Sequence, residues 1–219
     1  MTQHRNFRRG LLAAAITGAL VFGAPAAQAV DAEFHVGVFT DYIDDGASAS
    51  DNDPVVQGGL ELGFANGIFT GWEASSLGSG NGTEVIPFVG YGFDAGPVGI
   101  EFGYEYAYHS SLDDEDEGEV FFGVGWQMLS AEVAYVAHAD DRDAEGSRVW
   151  SLGAEHEVAP RTELFGTLGY DDPADDNGAK FWELGAAYAS DYGTFSLTYA
   201  SRDESGADDL LAAGYTFTF

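Results

Sequence analysis

From residue 33 to residue 219 the chain repeats one pattern: about ten residues in which alternate side chains are apolar, then a break rich in Gly, Pro, Asn or Asp. Side chains of a β-strand point to opposite faces in turn, so this period of two reads as strand after strand with one apolar face. In the segment 98–108, Val98, Ile100, Phe102, Tyr104, Tyr106 and Tyr108 share one face, opposite Gly99, Glu101, Gly103, Glu105 and Ala107. Segment 68–76 sets Ile68, Thr70, Trp72 and Ala74 against Phe69, Gly71, Glu73 and Ser75. The apolar faces of these segments carry no charge. Hydrocarbon enforces such purity, because a basic residue on the lipid side at mid-depth costs roughly 2–4 kcal/mol and an acidic one less.

Twelve strands are predicted, at 33–43, 54–64, 68–76, 83–93, 98–108, 117–127, 129–138, 147–157, 162–170, 179–189, 193–202 and 209–219. Their connections alternate. Short turns fall at Ala65-Asn66-Gly67, Asp94 to Pro97, Gln127 to Leu129, Pro160-Arg161 and Asp191-Tyr192-Gly193. Longer acidic segments fall at 44–53, 77–82, 109–116, 139–146, 171–178 and 203–208. An even count of such strands, with short turns on one side and long loops on the other, fits an all-β, antiparallel, up-and-down transmembrane barrel closed by its first and last strands. Closure gives every backbone amide and carbonyl a neighbour, which the membrane interior demands. Aromatics fall toward both rims: Phe34, Phe64, Phe93, Trp126 and Phe219 by the short turns, and Tyr42, Tyr108, Trp150, Tyr170 and Trp182 by the long loops.

Residues 1–29 read as a secretory signal peptide, with Arg5, Arg8 and Arg9 ahead of the apolar run Leu11–Gly23 and a small-x-small site at Ala27-Gln28-Ala29. Cleavage between Ala29 and Val30 leaves residues 30–219 as the barrel and places it in a Gram-negative outer membrane. The whole chain carries a net charge of −29. Its first 29 residues hold three of the eight bases and no acid, so the mature chain is more acidic still. Such acidity fits a saline habitat, a selective pore, or both.

Ten glutamates take the inward parity: Glu61, Glu73, Glu84, Glu101, Glu105, Glu119, Glu132, Glu155, Glu163 and Glu183. They are the predicted pore lining. Lys180, Arg148 and Arg202 are the candidate inward bases. Inward glycines are expected to widen the passage and inward phenylalanines, among them Phe39, Phe69, Phe88, Phe121, Phe165 and Phe181, to refill it in part. His138 lies near Asp140 and Asp141 and takes the inward parity, but no G-x-S-x-G nucleophile stretch accompanies it, so no catalytic residue is assigned. The acidic runs 51–53 and 113–117 lack the spacing of a calcium loop and read as solvated loops; no metal and no cofactor are assigned. Tyr215, Phe217 and terminal Phe219 form an alternating aromatic strand of the kind the outer-membrane assembly machinery reads. Expected partners are therefore membrane lipid, that machinery, and small solutes or cations, with no nucleic acid.

Val38-Phe39-Thr40-Asp41-Tyr42-Ile43, Ser50-Asp51-Asn52-Asp53-Pro54, Val56-Gln57-Gly58-Gly59 and Gly71-Trp72-Glu73-Ala74-Ser75 together resemble the TorF family of porin-like proteins, a Gcw_chp-type family of unknown function. The resemblance implies a porin-like outer-membrane protein and names no solute. Asp45 stands where that family commonly has an arginine before the glycine, and Ser48-Ala49-Ser50 where it has a glutamine between serines. The expected function is passive diffusion of small solutes with cation preference. The alternatives are a non-conducting structural barrel of the envelope and, behind it, an outer-membrane hydrolase.

Overall fold

The computed structural model describes residues 30–78, 80–112, 115–174 and 177–219. Residues 1–29, the expected signal peptide, lie outside them. The strands are β1 Val30–Phe39, β2 Ile43–Asp44, β3 Ala47–Ser48, β4 Val55–Phe64, β5 Ile68–Ser76, β6 Thr83–Ala95 and β7 Val98–His109. They continue as β8 Glu117–Trp126, β9 Leu129–Ala139, β10 Arg148–Ala159, β11 Thr162–Asp172, β12 Ala179–Ala189, β13 Thr194–Arg202 and β14 Leu210–Thr218. Twelve of these close into one antiparallel barrel in sequence order, and β2 with β3 forms a separate two-residue-per-strand hairpin. The only helical element among the described residues is a 3₁₀ turn at Arg142–Ala144.

Closure joins the ends of the chain. β1 pairs with β4 on one side and with β14 on the other, with Gly37 opposite Thr216 and Phe39 opposite Gly214. Phe34 and Phe219 exchange backbone hydrogen bonds of 3.2 and 2.8 Å, and their rings lie 5.9 Å apart at the short-turn rim. The barrel is inside-out relative to a soluble protein: outward Leu168 and Leu211 are each 64% exposed, whereas inward Ala200 is 0% exposed. Apolar surface of this extent needs lipid around it. The short turns are tight enough to force left-handed backbone on Arg161 after Pro160 (φ 66°) and on Gln127 (φ 54°).

Four expectations fail locally. The first wall strand ends at Phe39, not at residue 43, so Tyr42 leaves the lipid-facing row and is 4% exposed inside the molecule. His138 faces outward: Gly118 pairs with His138 while Glu119 pairs with Val136, so Ala137 is an extra residue that inverts the parity beyond it. Arg148 also faces outward; it pairs with Tyr135, lies 5.6 Å over that ring and 3.8 Å from Asp172. Lys180 pairs with outward Tyr170 and shares its face. Several strands also run longer than expected, β6 to Ala95 at the short-turn rim and β11 to Asp172 at the long-loop rim for example, which raises the wall at both rims.

Candidate functional site: the lumen and its mouth

All ten predicted glutamates sit on the inward parity of the wall. Glu61 is paired with Gly71, Glu73 with Gly59, Glu84 with His109, Glu101 with Gly123, Glu155 with Phe165 and Glu183 with Thr167. The structure brings some of them face to face. Glu105 stands directly opposite Glu119, Glu61 opposite Glu33, and Glu163 opposite Glu157. Glu101 and Glu132 flank Gly123 from its two neighbouring strands. Glu33 and Glu157 were missed as lining residues because they lie at strand ends; the same parity count would have found them. Like charges directly across a sheet repel, and a cation between them relieves the cost.

Among the described residues, Arg202 is the sole base on the inward side, and it is already engaged. Its guanidinium donates to Asp171 Oδ2 at 2.5 Å, to Glu204 Oε2 at 2.8 Å and to the Asp45 carbonyl at 3.3 Å. Two histidines add to the inner network. His35 Nε2 lies 3.1 Å from Glu73, and His109 Nε2 lies 3.1 Å from Glu84.

The Asp45 contact reveals the largest departure from expectation. Residues 40–54 do not extend from the barrel as a free acidic loop. They fold back inside its long-loop mouth. Ile43 pairs with Ser48 and Asp44 with Ala47, around a two-residue turn at Asp45 (φ 45°) and Gly46 (φ 76°). Asp-Gly is the preferred pair for this turn, because both positions need positive φ. The hairpin is fastened at its base: Tyr42 N–H donates to Ser50 Oγ at 3.1 Å and Ser48 Oγ donates to Asp41 Oδ1 at 2.6 Å, while Ser50 is 0% exposed. It then touches the wall at three places around the ring. Tyr42 donates its hydroxyl to Glu84 on β6 at 2.8 Å. Ile43 packs with Ala200, Leu210 and Ala212 of β13 and β14. At the tip, Gly46 N–H donates to Glu183 on β12 at 3.2 Å, beside the Arg202 contact. A Cβ on Gly46 would lie 2.6 Å from Phe181 Cβ, so the tip is in van der Waals contact with the far wall.

Inward glycines do something other than widen the bore. Each of the six inward phenylalanines is paired across its strand with a glycine: Phe39 with Gly214, Phe69 with Gly90, Phe88 with Gly71, Phe121 with Gly103, Phe165 with Gly185 and Phe181 with Gly169. In every pair the space a glycine Cβ would take is filled by the phenylalanine ring. The rings therefore lie along the wall over glycine backbone, and apolar bulk is kept out of the axis. Phe69 also lies 6.3 Å from Phe88 and 6.4 Å from Phe121, forming an aromatic patch on one side of the lumen.

A family model described as a bacterial protein of unknown function, Gcw_chp, matches residues 23–213. No protein among the curated ones matches the sequence. In fold the chain is similar to the KdgM porin, with a TM-score of 0.59 at 10% identity over 85% of this chain and 98% of that one. The KdgM porin in complex with disordered oligogalacturonate gives 0.58 at 8% identity, over 87% and 98%. A structure from a study of in-meso crystallisation of membrane proteins gives 0.57 at 7%, over 86% and 83%. Identities this low carry the architecture and nothing finer.

Proposed function

We propose that this chain, which belongs to the Gcw_chp family of bacterial proteins of unknown function, is an outer-membrane channel for passive diffusion of small solutes that favours cations over anions. The observation that carries this reading is the imbalance of the inner wall: among the described residues, the ten predicted glutamates with Glu33 and Glu157 take the inward parity, against one arginine bound by two carboxylates and the histidines His35 and His109. Low-dielectric walls focus such a field along the axis, so counter-ions concentrate there and co-ions are excluded. An oligogalacturonate, the ligand in one KdgM porin structure, is a chain of carboxylates and would meet repulsion here; a solute of opposite charge or none suits this wall better. The phenylalanines held against the wall leave the axis to water and carboxylates. The resemblance of residues 38–75 to the TorF porins agrees with this reading.

The test is conductance of purified, folded barrel in a planar bilayer. Discrete steps are expected. Silence across voltages would favour a second reading, a non-conducting envelope barrel, which the hairpin seated across the mouth also suits.

Assembly forms part of the proposal. Phe219 terminates an aromatic row with Phe217 and Tyr215, whose rings lie 4.9 Å apart, and we take this row as the signal read by the insertion machinery. Deleting Phe219 is expected to lower the yield of membrane-inserted barrel several-fold more than Phe102→Ala, which removes a comparable lipid-facing ring. Equal yields from the two variants, measured in isolated outer membranes, would reduce Phe219 to ordinary lipid packing.

A further inference from the structure

We propose that the hairpin Asp41–Ser50 is a releasable latch across the long-loop mouth, held shut at its tip by Arg202 and Glu183, and that solute passage requires its withdrawal. The proposal rests on the channel reading above.

The hairpin is built as a preformed unit. Its turn type, its Asp41–Ser48–Ser50 base and its Tyr42–Ala49 backbone bond of 2.8 Å are all internal to residues 41–50. It can therefore move as a body about Thr40 and the segment after Ser50. Its attachments to the wall are of another kind. Among the described residues its polar attachments are spread over strands on both sides of the lumen: Tyr42 to Glu84 of β6, and Gly46 and Asp45 to Glu183 and Arg202 of β12 and β13. The apolar attachments are two side chains of the hairpin, Ile43 against Ala200, Leu210 and Ala212, and Tyr42 against Phe39, Val55 and Leu77. A hairpin bonded within itself, and joined to the wall through individual side-chain contacts and not through a strand ladder, can come away as a unit.

Arg202 is the keystone of the closed state. One guanidinium bridges Asp171 of the wall, Glu204 of the last loop and the Asp45 carbonyl of the tip. The tip sits among acids. The Asp45 carboxyl faces Asp44 of the hairpin, Asp171 of β11, Glu183 of β12 and Glu119 of β8, with Arg202 of β13 beside it. Burial first, and these neighbouring charges second, push the Asp45 carboxyl up to about 9. Withdrawal into water would return it to the ordinary carboxylate range, so docking takes up a proton. The sign follows from a pKa that is higher docked than free. The contribution to docking is complete below about pH 4 and is lost progressively as pH rises, ending near the docked value of about 9. Acid closes the latch and alkali opens it.

The natural chain contains no cysteine, so a single introduced thiol reports docking without background. Ile43→Cys places it where Ile43 is 3% exposed. Ser205→Cys, on an exposed loop, corrects for the effect of pH on thiol reactivity. In the folded full-length barrel, labelling at Ile43→Cys relative to Ser205→Cys is expected to be slow at pH 6, and to rise at least tenfold by pH 10. Arg202→Gln should raise the pH 6 rate by about tenfold, the scale of one lost charge-assisted hydrogen bond. Tyr42→Phe removes the bond to Glu84 and leaves the turn and the wall sequence intact, so it should also raise the pH 6 rate even if Arg202→Gln folds poorly. Single-channel conductance should rise under the same conditions. Protection that is absent at pH 6, or indifferent to pH and to both variants, would overturn the latch even if the barrel conducts. Protection that behaves as described in a barrel silent at every pH would keep the hairpin's release but sink the channel reading.

Discussion

A bilayer containing this barrel, under a tenfold potassium chloride gradient at low salt, should develop a reversal potential of the potassium-selective sign. It should exceed half of the ideal limit, which is about 59 mV per tenfold gradient of a monovalent ion. The expectation follows from the facing carboxylates, Glu105 with Glu119, Glu33 with Glu61 and Glu157 with Glu163. The sign of the potential does not require every one of these carboxylates to carry charge. A few surviving charges still suffice, because local counter-ion enrichment in a low-dielectric cleft runs on the order of tenfold or more. Salt and acid supply the controls. Screening shortens from about 10 Å at 0.1 M to about 3 Å at 1 M, so selectivity should decline steeply across that range. Acidification toward pH 4 should abolish it. Glu105→Gln with Glu119→Gln together should cut the reversal potential measurably, while the outward-facing Lys180→Gln should leave it unchanged. Chloride preference at neutral pH and low salt would leave adaptation to salt as the better account of the acidity.

The barrel itself was legible because its determinant is repeated in nearly every strand. Parity is a local property, and Ile100, Phe102 and Tyr104 disclose it without knowledge of any partner strand. Parity fails where one residue is inserted. The extra Ala137 turns His138 outward, and nothing in Val136-Ala137-His138 announces it, because both neighbours are acceptable on either face. The end of β1 was hidden for a related reason. Thr40 and Tyr42 continue the outward row of Phe34, Val36 and Val38, so the pattern runs on after the wall has stopped. A signal was present in Asp45-Gly46, the preferred pair for a two-residue hairpin, flanked by Ile43 and by serines that can tie its base. Which way that hairpin swings depends on Glu84, Glu183 and Arg202, distant in sequence and visible as partners only once the barrel closes. Lys180 and Arg148 show the opposite error: their charge suggested the lumen, but their parity with Tyr170 and Tyr135 places them on the outer face.

The inward glycines make the sharpest test of how the wall is packed. Exchanging the members of one pair, Phe165→Gly with Gly185→Phe, should yield a barrel nearly as stable as the parent, whereas each single change should be costly. Phe165 on β11 and Gly185 on β12 stand directly opposite, and a Cβ at Gly185 would fall within the Phe165 ring. Phe165→Gly alone strips the ring from its seat, a loss of roughly 3–5 kcal/mol by analogy with large-to-small core changes. Gly185→Phe alone sets two rings in the space of one; overpacking costs about 1–3 kcal/mol, and more where backbone blocks relief. The double variant restores one ring over one glycine, and the coupling should recover at least half of the summed losses. Urea unfolding of detergent-folded barrel, followed by intrinsic fluorescence, measures all four proteins. If the double variant is as damaged as the sum of the singles, the rings and glycines are independent, and inward glycine serves only to leave space for water. If Gly185→Phe alone is tolerated, the lumen has room to spare at that level, and the passage is wider than the close fit of ring on glycine implies.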